Sequence, residues 1–260
     1  MRSMKRRFRS ALMSLSVLGL AVTACGDDDA SDSTELSGAV TVFAAASLTE
    51  SFTEIGDAFN AEHPDVEVTF NFASSSDLVT QINEGAPADV YASADQDNMT
   101  KLTEAGNNAG DPEVFAKNSL EIAVEPGNPI DISELADLEN PDLIVVTCAP
   151  EVPIGAYSAE VFDNADVSVE ADSFEEDVKA VANKVALGEA DAGIVYSTDV
   201  IAAGDTVEGV EIPDDVNVTP EYPIATTAEA PNPDGGAAFV EYVLSDAGRE
   251  KLQKYGFSAP

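Results

Sequence analysis

Two serines in this sequence follow apolar runs and open helical patterns, an arrangement that could hold an anion. Ser47 follows residues 40–46, which read as a buried strand, and precedes apolar residues at helical spacing. Ser75 lies in a second turn of this kind, after the alternating residues 66–72. The start of a helix presents free backbone N–H groups beside such a hydroxyl. The two turns therefore predict one oxyanion held between them without a basic side chain.

The same residues also allow purely structural interpretations. Ser47 and Glu50 have the spacing of a capping box, which alone would explain the serine. The run 74–76 could be an ordinary polar loop, and Tyr196 ends an apolar strand, where a core aromatic with a polar tip is common.

The elements around these turns predict an α/β protein. Strand patterns alternate with helical patterns along the chain, and such alternation gives parallel sheets covered by helices. In these sheets ligands bind at the carboxyl ends of the strands, where both serine turns lie.

The first residues predict export and a lipid anchor. Residues 1–24 combine five basic residues with a short apolar run, as in a secretory signal. They end before Cys25 with small residues, a pattern that resembles a lipoprotein signal in which Cys25 is lipidated; an ordinary signal peptide is the alternative. Residues 25–37 read as an acidic flexible tether. We therefore expect an extracytoplasmic protein that is lipid-anchored to the cell membrane.

Composition excludes several classes of function. The chain has 49 acidic and 12 basic residues, and five of the basic ones lie in residues 1–24, so nucleic acid is excluded as a partner. Cys25 and Cys148 are the two cysteines and His63 is the single histidine. These residues are too few for a disulfide framework or a metal site of His and Cys.

Several motifs together resemble one family, the molybdate-binding proteins of ABC transporters (ModA). The resemblance runs in order from about residue 38 to the C-terminus, and it is the combination that is specific. The motifs are residues 43–49, 72–76, 85–96, 149–155, 176–178, 193–196, 221–223 and 254–257.

The resemblance implies a two-lobe, periplasmic-binding-protein-like fold of type II. Each lobe would be a mostly parallel sheet flanked by helices. Lobe one would comprise residues 38–118 and 222–260, and lobe two residues 119–221.

The family's ligand positions fall on five residues of this sequence. The resemblance implies that Ser47 and Ser75 donate hydroxyl and backbone N–H bonds, that Ile154 and Val178 donate backbone N–H bonds, and that Tyr196 donates its phenol O–H. Molybdenum would be bound only as its oxyanion, with no direct metal ligand, and no cofactor is expected.

The role of Val178 makes a local prediction. Apolar spacing predicts a helix from Phe174 to Leu187, and Ser173 and Glu176 have capping-box spacing. A helix that started there would already bond the Val178 N–H. We therefore predict a start near Glu176 or Asp177.

The resemblance implies a binding lipoprotein, not an enzyme, that captures molybdate and also tungstate and delivers the ion to the membrane permease of an ABC transporter. A monomer is expected. One alternative is a binding protein of the same fold for another oxyanion, such as sulfate or phosphate. A less favoured alternative is an exported hydrolase with Ser47 as nucleophile, which lacks a base because His63 follows the far end of the helix.

Overall fold

The structure is a computed structural model that describes residues 36–260. The predicted signal segment 1–24, the predicted lipidation site Cys25 and most of the tether 25–37 lie outside the described residues. Within the described part, no helix combines the length and apolar character needed to cross a membrane.

The first sheet has five strands in the order β2-β1-β3-β10-β4. Strand β1 pairs in parallel with β2 and β3, whereas β10 pairs antiparallel with β3 and β4. The strands are β1 Gly38–Ala45, β2 Val66–Ala73, β3 Val90–Ala92, β4 Glu113–Lys117 and β10 Glu221–Thr226. The helices of this part of the chain are α1 Thr49–Glu62, α2 Ser75–Asn83, α3 Gln96–Glu104, α7 Pro233–Leu244 and α8 Asp246–Lys254.

The second sheet repeats this pattern in the order β7-β6-β8-β5-β9. Strand β6 pairs in parallel with β7 and β8, and β5 pairs antiparallel with β8 and β9. The strands are β5 Leu120–Val124, β6 Val145–Cys148, β7 Ser173–Glu175, β8 Ala192–Tyr196 and β9 Glu208–Glu211. The helices are α4 Pro153–Asn164, α5 Val178–Ala186 and α6 Ser197–Ala203, and short 3-10 helices cover Ala46–Leu48, Leu135–Glu139 and Gly204–Thr206.

These two sheets with their helices confirm the predicted two-lobe α/β fold, with one refinement. Half of the strand pairings in each sheet are parallel, so the sheets are mixed rather than mostly parallel. The reason is that β10 brings the chain back into the first sheet, where it runs antiparallel to both neighbours. Strand β10 begins at Glu221, one residue before the predicted start of the second segment of lobe one; the lobe boundaries themselves stay predictions.

Helix α1 shows how the sequence builds the core of lobe one. Phe52, Ile55 and Phe59 recur at helical spacing and are fully buried. Phe52 packs edge-on against Phe70 of β2 at a ring separation of 6.3 Å, and Phe59 packs against Phe239 of α7 at 5.5 Å. This packing holds the N-terminal end of α1, which follows Ser47, against the end of β1.

Each sheet places its predicted ligand residues at the carboxyl ends of its parallel strands. Adjacent strands β1 and β2 end just before Ser47 and Ser75 in lobe one. In lobe two, adjacent strands β7 and β6 lead into the helices that begin at Val178 and at Pro153, and β8 ends at Tyr196. The carboxyl ends of parallel neighbours therefore meet at the site, as expected for α/β sheets.

Candidate ligand-binding site

One small cavity brings all five predicted residues together. Its walls come from both lobes, and its empty volume is about 220 Å³. The residues that line it are Ala45, Ala46, Ser47, Ala73, Ser74, Ser75, Ala94, Val152, Pro153, Ile154, Asp177, Val178 and Tyr196.

Ser47 does not cap a helix. It lies in the 3-10 helix Ala46–Leu48, and the N-cap of α1 is Leu48, which makes no side-chain capping bond. The Ser47 Oγ instead lies 3.0 Å from the Tyr222 Oη. The capping-box interpretation of Ser47 and Glu50 is therefore wrong, and the hydroxyl remains at the cavity.

Ser75 is the first residue of α2, so its backbone N–H has no hydrogen-bond acceptor within the helix. The preceding Ser74 is the N-cap and accepts from the Asp77 N–H at 3.2 Å. The Ser75 Oγ accepts from the Ala94 N–H at 3.0 Å, and the Ser75 carbonyl accepts from the Tyr91 hydroxyl at 2.9 Å. Because one lone pair of its oxygen is engaged, the Ser75 hydroxyl keeps its proton available for the cavity.

Ile154 is the second residue of α4, where backbone N–H groups have no intrahelical acceptor. Pro153 occupies the first position, which suits a residue with no N–H and a fixed φ. Gly155 follows, and a Cβ there would overlap the carbonyl oxygens of Cys148 and Ala149. Close packing of the helix start against the end of β6 thus places the Ile154 N–H.

Val178 is the first residue of α5, and Asp177 is its N-cap. The Asp177 Oδ1 accepts from the Ala180 N–H at 3.0 Å, and the Val178 N–H, as the first of the helix, has no intrahelical acceptor. The predicted late start of the helix is therefore confirmed, and the helix from Phe174 is wrong. Phe174 lies in β7, where it pairs with Thr147 of β6, so sheet pairing prevailed over the helical spacing of the apolar residues.

Tyr196 supplies an unusual polar atom. Its side chain is 1% exposed, and its hydroxyl has no hydrogen-bond partner among the described residues. Burial, with nearby acidic groups, raises the pKa of Tyr196 well above its ordinary value, so the phenol stays protonated. The site therefore contains a buried O–H donor that lacks an acceptor.

Comparisons with known proteins identify the family of this chain. Residues 40–258 match the model of a family described as bacterial extracellular solute-binding proteins. The chain is 40% identical over 248 residues to the molybdate-binding protein ModA of Mycobacterium tuberculosis, covering 94% of this chain and 95% of that protein.

The chain belongs to the ModA family of bacterial extracellular solute-binding proteins.

Two solved structures share the fold of this ModA-family chain. The sulfate-binding protein SubI of Mycobacterium tuberculosis has a TM-score of 0.78 at 20% identity and covers 85% of this chain and 86% of its own. The periplasmic molybdate-binding protein of Azotobacter vinelandii has a TM-score of 0.75 at 18% identity and covers 85% of this chain and 99% of its own. At these identities the similarity supports the fold alone.

Membership of the ModA family confirms that the protein acts by binding, not catalysis, and places it outside the cytoplasm. The site agrees with a binding role. His63 directly follows α1 and packs on Phe59 at a ring separation of 4.6 Å, so it is not part of the cavity lining. The single histidine is therefore not available to Ser47 as a base, and family membership excludes the hydrolase alternative.

The sequence reasoning missed several residues around this ModA-family site. Tyr222 contacts Ser47, although it appeared in the sequence only as part of a family motif. Lys179 lies 2.7 Å from Glu50 and 3.2 Å from the buried Asp199. A signal for Lys179 existed, because it is one of only seven basic residues after residue 24 and it adjoins Val178.

Proposed function

We propose that this protein captures molybdate in the cavity between its lobes and delivers it to the membrane permease of an ABC transporter. The observation that carries the proposal is the buried Tyr196 hydroxyl, which has no acceptor among the described residues and lines a cavity shared with the Ser47 and Ser75 hydroxyls. The 40% identity to the Mycobacterium tuberculosis ModA supports molybdate as the anion.

The donors suit a doubly charged, fully deprotonated oxyanion. Such an ion offers only acceptors, and the hydroxyl and backbone groups of the five residues offer donors. Each hydrogen bond to a charged group contributes about 1.5–3 kcal/mol. Helix starts at Ser75, Pro153 and Val178 add a favourable dipole field without any basic side chain.

Tungstate is proposed as a second ligand, because it has the charge and nearly the size of molybdate. The metal atom of either ion would contact no protein ligand directly, since the oxygens alone meet the donors. No cofactor takes part in this proposal.

The proposed mode of transport needs both lobes. The ligand stabilises the closed arrangement because Ser47 and Ser75 belong to lobe one, whereas Ile154, Val178 and Tyr196 belong to lobe two. We further propose that a lipid on Cys25 anchors the protein to the membrane, that residues 25–37 act as its tether, and that the protein works as a monomer.

A second candidate is a related oxyanion such as sulfate or phosphate. Sulfate is also a tetrahedral dianion, so a similar cage of neutral donors would suit that ion. Asp177 is the one carboxylate residue among those that line the cavity of the described chain, and it would suit a protonated phosphate.

Calorimetry with molybdate, tungstate, sulfate and phosphate tests these candidates on the purified protein. We expect molybdate and tungstate to bind at least a hundredfold more tightly than sulfate, because relatives that are 40% identical to this chain are molybdate-binding proteins. Sulfate binding as tight as molybdate binding would refute molybdate as the physiological ligand.

A variant with Ser47→Ala and Ser75→Ala tests the site itself. We expect it to lose at least a hundredfold in molybdate affinity, because two charge-assisted bonds are removed. Ser245→Ala is the matched control, because Ser245 is the N-cap of α8, where its Oγ accepts from the Gly248 N–H at 3.2 Å, and it does not line the cavity. Unchanged affinity in the double variant would show that the cavity is not the binding site.

A further inference from the structure

A chain of hydrogen bonds behind the cavity ends at Ser47. The Asn118 Nδ2 lies 3.2 Å from the Tyr222 Oη, which lies 3.0 Å from the Ser47 Oγ. Tyr222 is fully buried, and Asn118 and Ser47 are nearly so. Asn118 lies between β4 and β5 and Tyr222 lies in β10, so both belong to the segments where the chain passes between lobes.

The orientation of the Asn118 amide is determined by its other partners. Its Oδ1 accepts from the Ser119 N–H at 2.9 Å and from the Ser197 hydroxyl at 3.0 Å. The Nδ2 group therefore faces Tyr222 and Thr198, and it donates to the Thr198 Oγ1 at 3.0 Å. In its contact with Tyr222, Asn118 can therefore act only as a donor.

This orientation determines the direction of the next bond. The buried Tyr222 hydroxyl has one proton and, among the described residues, two polar neighbours, Asn118 and Ser47. Since Asn118 is a donor, Ser47 is the only acceptor available for that proton. The opposite direction would leave a buried O–H without an acceptor, which costs about 1–3 kcal/mol.

We propose that Tyr222, held by Asn118, is a positioning residue that makes the Ser47 hydroxyl an obligatory donor and so excludes protonated oxyanions. Tyr222 could accept the Ser47 proton only by leaving its own proton without an acceptor, so Ser47 presents its proton to the cavity. Ser75 is arranged in the same way by the Ala94 N–H. A ligand O–H that faces either serine meets a donor; the second lone pair of the serine oxygen could accept that O–H only if the serine proton gave up the ligand as its own acceptor.

This inference rests on the proposed oxyanion-binding function and predicts a specificity effect. Molybdate and hydrogen arsenate are both tetrahedral dianions at mildly alkaline pH, but only hydrogen arsenate carries an O–H. Tyr222→Phe removes the donor to Ser47, so the Ser47 hydroxyl becomes a weaker donor and its oxygen a better acceptor for a ligand O–H. The ratio of molybdate affinity to hydrogen arsenate affinity should then fall about tenfold.

The test measures both affinities by calorimetry, with arsenate displacing molybdate where it binds weakly. Tyr91→Phe is the matched control: Tyr91 is also fully buried, but its hydroxyl donates to a carbonyl and orients no hydroxyl. We expect its affinity ratio to equal that of the wild type. Size discrimination and any contribution of Asp177 are shared by all variants, so they cancel when the ratios are compared.

A double-mutant comparison shows whether Tyr222 acts through Ser47. In a Ser47→Ala background, Tyr222→Phe should leave the affinity ratio unchanged, because the hydroxyl that it orients is gone. An effect of Tyr222→Phe that persists in this background overturns the proposal. An unchanged ratio in the single variant, or an equal change in Tyr91→Phe, also overturns it.

A second variant covers the case in which Tyr222→Phe does not fold, as judged by circular dichroism. Asn118→Asp replaces the donor with an acceptor, so the Tyr222 proton turns away from Ser47, and the ratio should again fall about tenfold. An unchanged ratio overturns the proposal. If the wild type binds no molybdate, the proposed function fails; if it binds molybdate no better than hydrogen arsenate, this inference fails.

Discussion

Lys179 and Glu50 form an ion pair across the two lobes, 2.7 Å apart and beside the cavity. Lys179 follows Val178 at the start of α5, and Glu50 lies in the first turn of α1, three residues after Ser47. The Lys179 Nζ also lies 3.2 Å from the buried Asp199 Oδ1 within lobe two. Burial alone lowers the pKa of Lys179, but Asp199 and Glu50 outweigh this effect and raise it, so the lysine stays charged.

Removal of the lobe-one partner should weaken closure. In Glu50→Gln the Lys179 pair with Asp199 remains, but the charge across the cleft is lost. Because the pair is partly exposed, we expect a several-fold loss in molybdate affinity, corresponding to about 0.5–1 kcal/mol. Stopped-flow measurement should show the loss mainly as faster dissociation.

Glu54→Gln is the control for this prediction. Glu54 lies one turn further along α1 and pairs with Lys254, so its partner belongs to the same lobe. Its dissociation rate should match that of the wild type. Equal acceleration in both variants would mean that Glu50 supports α1 rather than closure.

Tyr196→Phe should weaken binding while stabilising the ligand-free protein. The variant loses a donor to the oxyanion, which should lower molybdate affinity at least tenfold. It also removes a buried hydroxyl without a partner, so the free energy of unfolding should rise by about 1 kcal/mol. Calorimetry and urea unfolding measure the two effects.

Tyr91→Phe gives the opposite stability result and serves as the comparison. Its hydroxyl is bonded to the Ser75 carbonyl at 2.9 Å, so its loss should destabilise the protein by about 1 kcal/mol. A lower stability for Tyr196→Phe than for the wild type would contradict the account of the Tyr196 hydroxyl.

Asp199 should make stability depend on pH in an uncommon direction. Burial raises its pKa from 3.8 to about 6, although Lys179 opposes the shift. The folded state thus holds this proton more firmly than the unfolded state. The stabilising contribution is complete below about pH 4 and is lost as the pH rises through about 6.

Asp199→Asn isolates this contribution from the other carboxylates. We expect the free energy of unfolding of the wild type, minus that of the variant, to fall as the pH rises from about 4 to about 6, and to level off above that range. Urea unfolding across this range measures the difference. A difference that is independent of pH would show that the carboxylate ionises normally.

Gly155→Ala should reduce binding through the backbone. The added Cβ would overlap the carbonyl oxygens of Cys148 and Ala149, which displaces the start of α4 and with it the Ile154 N–H. We expect at least a tenfold loss of molybdate affinity, because the misplaced donor faces a charged group. Gly236→Ala is the control, since its Cβ comes no nearer than 3.2 Å to Asp89 and lies outside the cavity. Equal losses in both variants would indicate general destabilisation.

The parts of the site that the sequence predicts are those in which a side chain and a local pattern coincide. Ser47 and Ser75 follow strand patterns and open helical ones, so their place at a strand end could be inferred directly. Ile154 and Val178 act through backbone N–H groups, which leave no signature in residue type, so only the family resemblance indicated them. The apolar spacing after Phe174 led to a wrong helix prediction because β7 pairs with β6, a strand that lies more than 20 residues earlier in the sequence. Local periodicity does not encode such a contact.

By itself, the sequence determined the alternation of strands and helices, the acidic composition, the two serine turns and the family, because these depend on residue type and short-range spacing. Tertiary structure alone decided which hydroxyls donate and which residues connect the lobes. The contacting residues are far apart in the sequence: 175 residues separate Ser47 from Tyr222, 104 separate Asn118 from Tyr222, and 129 separate Lys179 from Glu50. The direction of a hydrogen bond depends on every partner of both atoms, and those partners come together only when the two lobes have folded and met.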